Sequence, residues 1–71
     1  MNDNPPEDEQ AILARLALLR QEHQDLDASI YALAWQPVPD QLLLMRMKRK
    51  KLAVRDQIVR LEDQLTPDII A

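Results

Sequence analysis

Cysteine is absent from the chain, so neither a disulfide nor the usual thiolate zinc site can brace it. Glycine is absent as well. With it go the glycine-rich phosphate loops and dinucleotide fingerprints, which bring backbone amides against a phosphate through positions that only glycine fits. Phenylalanine is missing, and one Trp and one Tyr make up the aromatic complement. No apolar run approaches the roughly 18 residues of a membrane span. The start Met1-Asn2-Asp3-Asn4-Pro5-Pro6 lacks the basic and apolar regions of a secretion signal. A cytoplasmic protein with no membrane partner is expected.

With 71 residues the chain is one domain at most. A chain this short buries only about 60% of its unfolded surface, which leaves a lone core marginal. Once disulfides and metal are set aside, self-association is the remaining aid. The residues that dominate are Leu, Ala, Arg, Lys, Glu, Asp and Gln, the composition of long helices and coiled coils, so the fold class is all-α. The net charge of -3 conceals a division by sign. Residues 1–27 hold seven acids and two bases, whereas residues 41–60 hold seven bases and one acid. Such asymmetry suits either an anionic partner or two halves that face each other.

The chain is organised around the basic run Met47-Lys48-Arg49-Lys50-Lys51-Leu52-Ala53-Val54-Arg55-Asp56-Gln57-Ile58. Before it, Ile12, Leu16, Leu19, His23, Leu26, Ile30 and Leu33 recur in steps of 4 and 3, the seam of a heptad helix. Within and beyond it, Leu44, Met47, Lys51, Val54, Ile58, Leu61 and Leu65 repeat the pattern. Pro37 and Pro39 interrupt the helix between the seams, and Asp40 is placed to cap the second one. The predicted organisation is a disordered acidic tail over 1–7 and a hairpin over 8–66, followed by a short tail over 67–71. Within the hairpin, helix 1 covers about 8–34, the bend 35–40 and helix 2 about 41–65.

Two seams joined by a short bend pack as an antiparallel two-helix coiled-coil hairpin. With the bend centred between Val38 and Pro39, facing residue numbers sum to about 77. Leu33 then meets Leu44, Ile30 meets Met47, Leu19 meets Ile58, Leu16 meets Leu61 and Ile12 meets Leu65. In the two polar layers Leu26 faces Lys51 and His23 faces Val54. Asp27 comes near Lys50, and Glu22 near Arg55.

The combination Arg15-Leu16, Leu19, Glu22-His23, Leu26-Asp27, Ile30 and Leu33, followed by the basic run, resembles the YdcH-like family of very small bacterial proteins, a domain of unknown function. The similarity covers residues from about 12 to 62. It implies a coiled-coil-like helical hairpin and supplies no activity. Met47 stands where the family favours Leu, and Gln57 where it favours Glu. Trp35 and two prolines occupy the connection in place of a plainly polar turn.

Several residues invite a functional reading beside a plainer one. A seam histidine such as His23 is ordinarily half-buried and hydrogen-bonded to a carboxylate, for which Asp27 is available; a metal site has too few ligands without a second chain. A pH-sensitive oligomer is a further use of this residue. The cations Lys48, Arg49, Lys50 and Arg55 are the candidate anion contacts, against the plainer reading of a solvated face whose inner members pair with Glu22 and Asp27. Met45, Leu52 and Val59 recur every seven residues off the seam, and Leu13, Leu18, Leu42 and Leu43 add to the surplus. A single hairpin cannot cover them. A second copy in a dimeric four-helix bundle does, as does another protein. Trp35 is expected over the open end of the bundle or at the partner face. The expected energetic core is Leu19, Leu26, Ile30, Met47, Val54 and Ile58.

No fixed pair of acid and base, and no thiol nucleophile, argues for catalysis. No cofactor and no metal are expected. The sequence thus predicts a non-enzymatic, self-associating helical interaction module that also docks on another intracellular protein. A small nucleic-acid-associated regulator is the alternative.

Overall fold

The structure, a computed structural model, describes residues 5–65, with side chains from residue 9 onward. It is a helical hairpin, α1 over Pro5–Ala34 and α2 over Gln41–Leu65, with no strand among the described residues. The two helices pack along an elongated body of 55 × 25 × 15 Å. No described helix is long and apolar enough to cross a membrane. The expected tail over 67–71 and the first four residues of the tail expected over 1–7 lie outside the described residues.

Helix α1 starts at Pro5, ahead of the expected start near residue 8. Proline fits the first turn because its fixed φ is already helical and its missing N–H has no intrahelical acceptor there. The helix ends by tightening. Trp35 N–H donates to Ala32 O at 3.3 Å and Gln36 N–H to Leu33 O at 3.2 Å, three-residue bonds that close the last turn before Pro37. No described residue takes a positive φ, so the bend is made without the left-handed conformation that glycine favours.

Asp40 opens α2 as its N-cap. Its Oδ1 accepts from Leu43 N–H at 3.0 Å, while its carbonyl takes the first helical bond, from Leu44 N–H at 3.0 Å. Asp40→Ala is expected to destabilise the hairpin by about 1 kcal/mol, read as a lower urea midpoint with unchanged slope.

Every position of the two seams is buried or partly buried. Leu19, Leu26 and Val54 form one buried cluster, with Met47, Ile58 and Leu61 packed against it. Leu16 and Leu44 are also buried, although neither belongs to the expected energetic core, whereas Ile30 of that core is only partly covered. All are alternating members of the same heptad, so spacing alone does not rank them.

The ion pairs differ from the expected polar partners. Asp27 pairs with Lys51, not Lys50: Lys51 Nζ donates to Asp27 Oδ1 at 2.6 Å. Lys51 is a seam residue, and its ammonium leaves the seam to reach the flank of α1. Arg20 Nη2 donates to Glu62 Oε2 at 2.6 Å. Those two numbers sum to five more than the expected 77, about 7 Å along the axis, a span that two long side chains cross. No ion pair joins Glu22 to Arg55.

Candidate interaction surface

Met45, Leu52 and Val59 lie on alternate turns of α2, one heptad apart, and all three are exposed. Leu52 is 53% exposed although it stands two residues from buried Val54. A heptad is close to two whole turns, so the three side chains share one flank of the helix. Leu52 fixes which flank. With Ile30, Lys48 and Lys51 it lines an open groove of about 250 Å³, the groove on the side where Lys51 crosses to Asp27. The surface is therefore an apolar strip edged by ammonium groups. Against the opposite flank, Arg15, Gln57, Arg60, Leu61 and Gln64 line a smaller groove of about 150 Å³.

Lys51, which lines the first groove, is ion-paired with Asp27. The hydrogen bond from Lys51, then its charge, hold the Asp27 carboxyl below the usual carboxylate range, against a smaller opposing effect of burial and with a still smaller push in the same direction from His23. A depressed folded-state pKa means the pair's stabilisation is present above the unfolded value of 3.8 and is lost as pH falls through the lower folded value. Asp27→Asn is accordingly expected to be less stable than the parent at neutral pH, the two converging as pH falls below 3.8, measured by urea titration at each pH.

His23 is partly buried at its seam position, but it does not hold the expected hydrogen bond with Asp27, whose Oδ1 takes the lysine ammonium. A charged donor offers the carboxylate the stronger partner. Among the described residues no group of three or more His, Asp or Glu side chains is placed to hold a metal ion.

The candidate anion contacts Lys48, Arg49, Lys50 and Arg55 are all exposed, and none forms an ion pair within the hairpin. The plainer expectation, that the inner cations of the run pair with Glu22 and Asp27, holds only for Lys51.

Trp35 does not cover the end of the hairpin. It is 72% exposed and rests against exposed Tyr31 with ring centroids 6.0 Å apart and planes tilted by 59°. Val38, between the two prolines, is 87% exposed, and Leu42 on the first turn of α2 is exposed too. The bend thus carries an apolar tip that heptad reasoning missed. Its signal in the sequence is a valine held between Pro37 and Pro39, where no helix can turn it inward.

A family model described as "Protein of unknown function (DUF465)" matches residues 16–62, well over half of the chain. No curated protein and no solved structure matches.

Proposed function

This chain belongs to the DUF465 family of proteins of unknown function, the family of the YdcH-like proteins, and from that premise we propose that it is a non-enzymatic helical interaction module that pairs with a second copy of itself. Family membership names no activity, so the reading rests on the surface. The observation that carries it is the exposed strip of Met45, Leu52 and Val59 beside the groove that contains Ile30. An apolar strip repeating at seven residues suits a helix of the same repeat, and the partner copy supplies one. Two hairpins joined along it make a four-helix bundle, and docking on another protein uses the same strip.

Molar mass by light scattering behind a sizing column, over a wide concentration range at neutral and mildly acidic pH, tests this. A dimer is expected for the parent chain, and Leu52→Asp is expected to run as a monomer with its helical circular dichroism retained. A parent chain that stays monomeric at every concentration, or an undiminished dimer in the variant, overturns the assignment.

A second reading is favoured by one specific observation, the lack of ion pairs at Lys48, Arg49, Lys50 and Arg55. Those cations suit the phosphates of a nucleic acid, whose affinity would fall steeply with added salt. Absence of binding to RNA and DNA at low salt removes that reading.

A further inference from the structure

Folding the chain into a hairpin sorts its charge along the long axis in a way the linear order hides. The half nearest the bend, residues 26–51, carries Arg46, Lys48, Arg49, Lys50 and Lys51 against Asp27 and Asp40, a net of +3. The other half, residues 9–25 and 52–65, holds six acids and four bases, a net of -2. The molecule is 55 Å long, several times the Debye length of about 8 Å at physiological ionic strength. A surface meeting the bend end therefore experiences that net positive charge and is screened from the acids of the far half. An overall acidic protein thereby presents a basic end.

The same end carries the exposed apolar tip. Trp35, Val38 and Leu42 stand out at the bend with Tyr31 against Trp35. Measured from Gln41, Arg46 to Lys50 follow about 8 to 14 Å up the axis of α2. An apolar point, two amphipathic aromatic rings, and a tier of cations one to two turns above them match the layers of a lipid leaflet. Peripheral helices bury their apolar side about 5 to 10 Å into that leaflet, aromatic rings sit at the headgroup level, and cations meet anionic phosphates. Asp40 is spent on the cap of α2.

We propose that the bend end of the hairpin docks end-on to a membrane surface rich in anionic lipid, with Val38, Leu42 and Trp35 entering the interface and Arg46, Lys48, Arg49 and Lys50 meeting the headgroups. A spanning helix plays no part in this. The aliphatic tip is what favours a bilayer over a nucleic acid, because Val38 and Leu42 have no stacking face for a base. The proposal stands independently of self-association through Met45, Leu52 and Val59.

Trp35 is the single tryptophan of the chain and so reports on the tip directly. The full chain is titrated with vesicles of phosphatidylcholine alone and of phosphatidylcholine mixed with phosphatidylglycerol, following Trp35 emission and cosedimentation. A blue shift and binding are expected with the anionic vesicles. With each cation near such a surface contributing about fivefold, affinity should exceed that for phosphatidylcholine by about a hundredfold or more and fall with salt. The pair Arg46→Ala and Arg49→Ala should lower it about twentyfold. Val38→Asp should abolish the blue shift with helical circular dichroism unchanged, since the side chain it replaces touches little of the hairpin. Equal binding to both vesicle types, or no shift with either, overturns the proposal. So does a shift produced by single-stranded oligonucleotide but not by vesicles, which assigns the end to nucleic acid. A shift that follows protein concentration without vesicles also overturns it, assigning Trp35 to a second copy.

Discussion

Val54→Asp is expected to unfold the hairpin at neutral pH, with most of the far-ultraviolet helical signal lost. Val54 is buried between the helices in the cluster with Leu19 and Leu26, and Met47, Ile58 and Leu61 close around it. The change forfeits the burial of the valine, about 1.5 kcal/mol. It also places a carboxylate among the apolar side chains of that cluster, at a cost of several kcal/mol more. Small single cores rarely supply more than about 3 to 5 kcal/mol in total, so the sum exceeds what holds the helices together. Acidification that protonates the introduced carboxyl should return part of the helix. Leu52→Asp, two residues away but half exposed, provides the contrast: its helical signal should persist. Full helicity of the Val54→Asp chain at neutral pH would falsify the placement of the core.

Leu16→Ala and Leu18→Ala should separate just as widely. Leu16 is 1% exposed and Leu18 is 73% exposed, although they stand two positions apart on one helix. Truncating the buried leucine removes its transfer free energy and leaves a cavity between α1 and α2, a loss of about 2 to 4 kcal/mol. The exposed leucine touches little, and alanine is the better helix former, so its replacement should stay within about 0.5 kcal/mol of the parent. Urea unfolding followed by circular dichroism reads both. Near-equal midpoints for the two variants would place the seam one step round the helix from where it lies.

Much of the architecture was legible in the sequence because a heptad leaves few choices. Steps of 3 and 4 on both sides of a proline-bearing bend predict two helices and an antiparallel return, and Asp40 announces the cap by its position after Pro39. The polar cross-links were less legible. Spacing locates Cα atoms, whereas Lys51 leaves its seam position to reach Asp27, and Arg20 reaches Glu62 across an axial offset. Long side chains blur a register by a turn or more. His23 shows the same limit, since Asp27 lies one turn on yet bonds the lysine of the other helix. The tip at Val38 was hidden for a different reason: period analysis is silent about residues that belong to no helix. The charge polarity was invisible until the chain doubled back, because it joins residues 9–25 to residues 52–65 at one end.

The bend also sets an order for folding. Leu33 and Leu44, just either side of it, close a loop of 11 residues, whereas Ile12 and Leu65 close one of 53. Loop entropy grows only with the logarithm of length, so the longer closure costs about 1.4 kcal/mol more. That is enough to favour zipping outward from the bend by about tenfold over starting at the open end. Contacts formed this way are each local to the last, which belongs to the fast, low-contact-order regime of microseconds to milliseconds. The last pairs to form are the first to open, so amide hydrogens near Ile12 and Leu65 should exchange with solvent well before those near Leu44.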